Sequence, residues 1–195
     1  MQAKHQQSYW ENRYQEQKTG WDIGYPSPQL KAVIDALTDK KIKILIPGAG
    51  NAYEAEYLYK SGYKNVHVVD IAKQPLLALK KRLPAIPSSH LHHQNFLDHT
   101  GRYNMIIEQT FFCALDPILR HDYVDKMYEL LESAGTLTGL LFNIPLNADG
   151  PPYGGHETIY RNLFEVKFDI THMSTSELSI APRAGNELFF AMTPK

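Results

Sequence analysis

A glycine-rich turn, followed about twenty positions later by an acidic residue, is the part of this sequence best suited to binding a ligand. Gly48 and Gly50 lack a Cβ atom, so the chain around Ala49 can turn sharply and approach a ligand closely. Asp70 ends the next apolar run and precedes Ile71, and a carboxylate there can accept hydrogen bonds from both hydroxyls of a ribose. The pattern predicts a nucleoside site. The alternative is a tight strand-to-helix turn with an incidental aspartate.

The residues after the turn indicate which nucleoside cofactor would fit. A dinucleotide-binding loop needs a third small residue so that its helix packs closely and exposes N–H groups to a pyrophosphate. Tyr53 occupies that position and is too large, and Glu54 in the first helical turn would repel phosphate. S-adenosylmethionine (SAM), a nucleoside cofactor without phosphates, is therefore favoured over a nicotinamide dinucleotide.

Composition excludes several other classes of protein. The chain has 195 residues with 20 basic and 21 acidic side chains, and without a run of like charges we expect no nucleic-acid partner. No apolar stretch reaches the roughly 18 to 20 residues that span a bilayer, so no membrane insertion is expected. The polar first residues lack a signal-peptide core, and the single cysteine, Cys113, suits a reducing compartment. We expect a cytoplasmic protein, monomeric or weakly self-associating.

Strand and helix patterns alternate along the chain, as in proteins with a parallel sheet covered on both faces. Strands are predicted at residues 42–46, 66–70, 91–93, 103–108, 136–142, 164–171 and 187–193, and helices at 52–61, 73–83, 117–132 and 157–163. No helix separates the last two strands, which predicts an antiparallel hairpin. The expected fold is α/β and doubly wound, with a mostly parallel seven-stranded sheet. Residues 1–195 form a single domain, with a cap segment and helix at 1–40 and a Rossmann-like core at 41–195.

Four segments carry a resemblance to a known family. They are residues 9–14 (YWENRY) with 19–24 (TGWDIG), the glycine turn with Asp70, residues 95–98 (NFLD) with 114–120 (ALDPILR), and residues 150–153 (GPPY). Together they resemble the thiopurine/thiol S-methyltransferase branch of the class I SAM-dependent methyltransferases, which includes the plant halide/thiol enzymes. The resemblance implies a class I methyltransferase fold and SAM as cofactor.

The resemblance also suggests which side chains meet the cofactor. Trp10, Tyr14 and Trp21 would cap it with aromatic rings, and aromatic faces attract a sulfonium cation. Alternatively, the two tryptophans only pin the segment to the core. Residues 95–98 would flank the adenine, with Asn95 and Asp98 able to read its amino group. The expected cofactor-binding residues are Trp10, Tyr14, Trp21, Gly48, Ala49, Gly50, Asp70, Ile71, Asn95, Phe96 and Glu108.

The methyl acceptor is expected to be a small molecule, a thiol or a similarly soft nucleophile, because such groups need no strong base. Tyr153 would orient the acceptor through its hydroxyl, and Arg120 would attract an anionic or electron-rich one. A salt bridge on a helix surface is an equal alternative for Arg120. Two other functions stay open: a SAM- or nucleoside-binding protein without turnover, and a nicotinamide-dependent reductase.

The remaining candidate residues are expected to have structural rather than chemical roles. His90, His92 and His93 would make an incomplete metal site, because adjacent strand residues point to opposite faces, so no metal is expected. Cys113 is expected in the core, and Phe111 is expected beneath the cofactor or beside the acceptor. Residues 174–176 are polar and are expected to form a mobile loop between the last two strands.

Overall fold

The computed structural model describes residues 7–195, and its centre is a seven-stranded sheet. The strands are β1 (Ile44–Pro47), β2 (Val66–Asp70), β3 (Leu91–His93), β4 (Tyr103–Gln109), β5 (Leu131–Phe142), β6 (Phe168–Thr175) and β7 (Glu187–Pro194). Their spatial order is β3-β2-β1-β4-β5-β7-β6. The chain order reverses between β1 and β4, the topological switch point where open α/β sheets bind ligands.

Six α-helices accompany the sheet in the described part of the chain. They are α1 (Gln7–Gln15), α2 (Pro28–Ala36), α3 (Tyr53–Lys60), α4 (Lys73–Arg82), α5 (Arg120–Leu130) and α6 (Glu157–Phe164). Within residues 7–195, no helix has the length and apolar character needed to cross a membrane. The predicted α/β, doubly wound fold is confirmed.

Alternation of apolar side chains along β1 explains why the sheet is covered on both faces. Ile44 and Ile46 pack into the core formed with α2, α3 and α4, whereas Leu45 packs into the core formed with α5 and α6. All four residues of β1 are buried, as expected for a central parallel strand. This burial fixes the end of β1, and therefore the position of the glycine turn that follows it.

The predicted antiparallel hairpin at the C-terminus is present, but its strand bounds differ from the prediction. β7 is antiparallel to both β5 and β6 and lies between them. β6 begins at Phe168 rather than at residue 164, because Phe164 still belongs to α6 and is fully buried in the core. Residues 174–176 are not a mobile loop: Ser174 pairs with Phe189 in the sheet, and the Ser176 amide donates to the Glu187 carbonyl at 2.9 Å.

The predicted helix at 117–132 is shorter in the structure. Its first turn, Pro117–Leu119, is a 3-10 turn whose amide at Ile118 is capped by the Asp116 side chain at 3.1 Å. The α-helix begins at Arg120 and ends at Leu130, because Leu131 already pairs with Tyr103 at the start of β5. The strand therefore follows the helix without a separate loop.

Candidate active site

A cavity of about 770 Å³ opens at the carboxyl ends of β1, β2 and β4, beneath the segment that contains α1. Its size is in the range of pockets that enclose small organic ligands. Ten of the eleven predicted cofactor-binding residues line it: Trp10, Tyr14, Trp21, Gly48, Ala49, Gly50, Asp70, Ile71, Asn95 and Phe96. Residues widely separated in sequence thus line one cavity.

The glycine turn is braced by Asp70. Gly48 and Gly50 have φ values of 68° and 51°, in the left-handed region that glycine adopts at low cost. The two carboxylate oxygens of Asp70 accept hydrogen bonds from the Ala49 and Ala72 amides, each at 2.7 Å. A carboxylate offers about four acceptor positions, so Asp70 can hold the turn and also accept from a ligand hydroxyl. Burial raises the pKa of Asp70 to about 6.

Three aromatic rings form a cap over this turn. The ring centroids of Trp10 and Tyr14 each lie 5.6 Å from the Trp21 centroid, in edge-to-face arrangements. The Trp21 indole lies beside Gly50. Burial, followed by the charges of Asp70 and Asp22, raises the pKa of the Tyr14 hydroxyl, which therefore stays neutral. The cap is suited to enclosing a cation and to excluding water.

Glu108 supports the cavity wall from behind. Its Oε1 accepts hydrogen bonds from the amides of Phe111 at 2.6 Å and Phe112 at 2.8 Å, and its side chain is fully buried. Those bonds hold a turn in which Thr110 has a φ of 56°, uncommon for a β-branched residue. Burial raises the pKa of Glu108 to about 7. Glu108, the eleventh residue predicted to bind the cofactor, lies outside the cavity lining.

The turn held by Glu108 packs directly on the glycine turn. A Cβ atom added to Gly48 would lie 2.4 Å from the Phe111 ring, so only glycine allows this approach. Phe111 lines the cavity, as predicted, and Phe112 is buried in the core.

The segment after β3 contributes the opposite wall. Asn95 Oδ1 accepts a hydrogen bond from the Leu97 amide at 3.1 Å, which leaves the Asn95 amide nitrogen available to a ligand. Phe96 is buried and lines the cavity together with Leu97. Asp98 is exposed and lies outside the cavity lining.

Neither residue predicted to act on the acceptor lines the cavity. The Arg120 guanidinium donates to the Gly154 carbonyl at 2.7 Å, lies 4.9 Å from the Phe112 ring centroid and is buried, which lowers its pKa. The alternative of a surface salt bridge is wrong as well, because Arg120 is only 7% exposed. The Tyr153 amide donates to the Cys113 carbonyl at 2.7 Å. Both residues hold the 151–154 stretch, of which Pro151 and Pro152 reach the cavity.

The cavity also contains polar residues that the sequence did not single out. Asp22 accepts a hydrogen bond from the Asn51 side chain, and both line the wall beside the glycine turn. Asp22 follows Trp21 in a motif quoted above, so its position carried a signal. Arg183 also lines the cavity but lies 162 positions from Trp21, to which it is hydrogen-bonded, and no local pattern indicates it.

The histidines and the cysteine have other surroundings. His67, His90, His92 and His99 form a cluster of packed rings outside the cavity lining. Among residues 7–195, no group of three or more histidine, cysteine or acidic side chains is arranged to hold a metal ion. Cys113 is buried, as predicted, and burial raises the pKa of its thiol. Its Sγ donates to the Thr110 carbonyl at 3.1 Å.

A mostly parallel sheet with a glycine turn and an acidic residue ending the neighbouring strand is typical of the class I SAM-dependent methyltransferases. Residues 5–190 match the family described as Thiopurine S-methyltransferase (TPMT). The chain belongs to this family, and SAM is its methyl donor.

Individual proteins show how far the similarity extends. A probable thiol methyltransferase 2 of Arabidopsis thaliana is 28% identical over 184 residues, which cover 91% of this chain and 81% of that protein. A thiopurine S-methyltransferase of Acinetobacter baylyi is 24% identical over 207 residues, covering 93% of this chain and 94% of that protein. The crystal structure of the Burkholderia thailandensis 1,6-didemethyltoxoflavin-N1-methyltransferase, which contains S-adenosylhomocysteine, aligns with a TM-score of 0.78 at 17% identity and covers 97% of this chain and 87% of that one.

Proposed function

We propose that this protein transfers the methyl group of SAM to a small thiol or a similarly soft nucleophile. The observation that carries the proposal is a single cavity that joins two kinds of wall. One wall has the glycine turn and Asp70, and the other has the apolar residues Phe111, Leu115, Leu119, Pro151 and Pro152. The relatives named as thiol and thiopurine methyltransferases support this class of acceptor.

The residues present fit SAM on three counts. Asp70 retains acceptor capacity toward the ribose hydroxyls, and Gly50 lines the cavity without a side chain beside the Trp21 indole. The aromatic cap offers ring faces that attract a cation, and the Arg13 guanidinium already lies 5.5 Å from the Trp21 ring centroid. When bound, SAM supplies a methyl group on a positively charged sulfur.

The protein's own contribution is to bind, orient and exclude water. Asp70 holds the ribose, and Asn95 and Phe96 contact the adenine. Trp10, Tyr14 and Trp21 surround the sulfonium and keep out water, and this alignment lowers the barrier to an in-line displacement by several kcal/mol. A soft nucleophile reacts as its anion or through its lone pair, so the apolar wall needs no general base.

Tyr153 and Arg120 take positioning roles in this proposal. The main-chain amide of Tyr153 donates to the Cys113 carbonyl, and the Arg120 guanidinium donates to the Gly154 carbonyl. These two hydrogen bonds fix Pro151 and Pro152 at the acceptor wall. Glu108 acts in the same way on the turn that carries Phe111.

We propose further that the protein works in the cytoplasm as a monomer or a weak homo-oligomer, without a nucleic-acid partner. The near balance of 20 basic and 21 acidic residues offers no patterned charge for nucleic acid, and the single buried thiol suits a reducing compartment.

The test replaces Asp70 and a matched aspartate outside the cavity. S-adenosylhomocysteine binding is measured by calorimetry for the wild type, Asp70→Ala and Asp98→Ala, and methyl transfer from labelled SAM is measured across a panel of thiols, halides and thiopurines. Loss of charged hydrogen bonds predicts at least about tenfold weaker binding for Asp70→Ala and unchanged binding for Asp98→Ala.

Each alternative has its own outcome. Equal affinity of Asp70→Ala and the wild type would refute the ribose role of Asp70. Binding by the wild type without turnover of any acceptor would identify a SAM-binding protein instead of an enzyme. Tight binding of NADH in the same cavity would favour a reductase.

A further inference from the structure

Arg183 connects the C-terminal hairpin to the N-terminal cap. It ends the 3-10 turn Ala181–Arg183 between β6 and β7, and its side chain is only 12% exposed. One guanidinium nitrogen, Nη2, donates to the Trp21 carbonyl at 2.9 Å. The other, Nη1, lies 3.3 Å from Oε1 of Glu187 at the start of β7. One side chain therefore bonds a strand of the sheet and the cap.

The atom that Arg183 bonds belongs to the central ring of the cap. Trp21 makes edge-to-face contacts with both Trp10 and Tyr14, and its indole lies beside Gly50 in the glycine turn. A displacement of the Trp21 backbone would therefore move the ring that the other two contact. The position of Trp21 decides how closely the cap approaches a ligand on the turn.

Arginine is suited to this connection for a geometric reason. Its planar guanidinium presents donors in two fixed directions, so it can bond the Glu187 carboxylate and the Trp21 carbonyl together. Glu187 is 3% exposed, and removal of one partner from a buried charged pair leaves the other uncompensated. The guanidinium also lies 5.4 Å from the Phe142 ring centroid, which limits its movement. A lysine offers one point charge and cannot reproduce the two-directional fork.

We propose that Arg183 is a positioning residue that sets the aromatic cap through Trp21, so that the hairpin between β6 and β7 controls closure over SAM. The inference rests on the proposed binding of SAM beneath the cap. Arg183 would then affect the affinity for SAM, although it belongs neither to the glycine turn nor to the segment that carries the aromatic cap.

The test uses the natural fluorescence of the cap. Trp10 and Trp21 are the only two tryptophans of the sequence, so tryptophan emission reports on the cap alone. Emission is recorded for the wild type, Arg183→Met and Arg183→Lys, with and without S-adenosylhomocysteine. The matched control is Arg161→Met, because Arg161 also bonds one carboxylate, Glu157 at 2.8 Å, and one carbonyl, Met173 at 3.1 Å, but lies outside the cavity lining.

For Arg183→Met we expect altered emission without ligand, about tenfold weaker S-adenosylhomocysteine binding, and a KM for SAM raised by a similar factor with a much smaller change in kcat. Arg183→Lys should recover only part of the affinity. Arg161→Met should lower thermal stability but leave emission and affinity as in the wild type.

Two results would overturn the proposal. One is wild-type emission and affinity in Arg183→Met and Arg183→Lys. The other is an equal loss of affinity in Arg161→Met, which would mean that only general stability is involved. If Arg183→Met does not fold, Arg183→Lys alone decides. Wild-type affinity in Arg183→Lys would contradict the requirement for a guanidinium that bonds Glu187 and the Trp21 carbonyl together. Failure of the wild type to bind S-adenosylhomocysteine would instead contradict the proposed function.

Discussion

Replacement of Glu108 by glutamine should change how the stability of the protein depends on pH. The carboxyl group is fully buried, and burial raises its pKa from the ordinary 4.5 to about 7. A raised folded-state pKa means that ionisation is disfavoured in the native protein. The contribution of Glu108 to stability is therefore complete below pH 4.5, falls as pH rises from 4.5 to 7, and is lost above 7.

The magnitude follows from the size of this shift. A difference of about 2.5 pKa units corresponds to about 3 kcal/mol, most of which develops between pH 5 and pH 8. The glutamine cannot ionise, but its Oε1 can still accept from the Phe111 and Phe112 amides. Oε2 of Glu108 is buried without a hydrogen-bond partner, and the NH₂ group of the glutamine would take its place. Burial of that NH₂ group without an acceptor lowers the stability of the variant by about 1–3 kcal/mol at every pH.

The assay is urea denaturation of wild type and Glu108→Gln at pH 5 and pH 8, with Glu165→Gln, an exposed glutamate variant, as control for the loss of one formal charge. The stability of Glu108→Gln relative to the wild type should improve by about 2–3 kcal/mol from pH 5 to pH 8. If the stability of Glu108→Gln relative to the wild type is the same at both pH values, or changes with pH only as much as that of Glu165→Gln, the raised pKa of the buried Glu108 carboxyl group is refuted.

Two further predictions concern the glycine turn and the histidine cluster. Gly48→Ala should abolish measurable S-adenosylhomocysteine binding by calorimetry and lower the melting temperature, because its Cβ would clash with the Phe111 ring at a φ of 68°. The control is Gly24→Ala, because Gly24 has a φ of 81°, lies outside the cavity lining and has open space where the Cβ would be. Wild-type binding by Gly48→Ala would contradict the packing of Phe111 on the glycine turn. Burial lowers the pKa of His67 from 6.5 to about 3, so its contribution to stability is complete above pH 6.5 and is lost as pH falls toward 3. The stability of His67→Gln relative to the wild type should therefore improve by about 2 kcal/mol from pH 7.5 to pH 5 in urea denaturation, and an unchanged difference would contradict the buried neutral ring.

The sequence was most informative where local pattern and chemistry coincide. The apolar run before Gly48 has to be a buried strand, and a carboxylate that ends the next strand has to lie at the same edge of the sheet. For that reason the glycine turn and Asp70 could be predicted from the residues, whereas Asn95 and Phe96 were indicated by the resemblance. The aromatic cap was indicated only by resemblance, because ring contacts between α1 and Trp21 depend on how the segment folds back.

Other features depend on long-range packing that spacing does not encode. Glu108 lies at the carboxyl end of β4, as a ligand residue would, but the turn at Thr110 brings two amides to its carboxylate, and Glu108 lies outside the cavity lining. Arg120 is in a family pattern, but its helix begins with the residue itself, so its side chain reaches the Gly154 carbonyl. The bond between Arg183 and Trp21 joins opposite ends of the chain and became visible only in three dimensions.

The most direct test of the central claim is a crystal structure of the protein with S-adenosylhomocysteine and a thiol acceptor. We expect both ribose hydroxyls within hydrogen-bonding distance of Asp70, the adenine between Asn95 and Phe96, and the sulfur facing the wall of Phe111 and Pro151. Electron density for the ligand elsewhere on the surface, or a ribose that makes no contact with Asp70, would contradict the account.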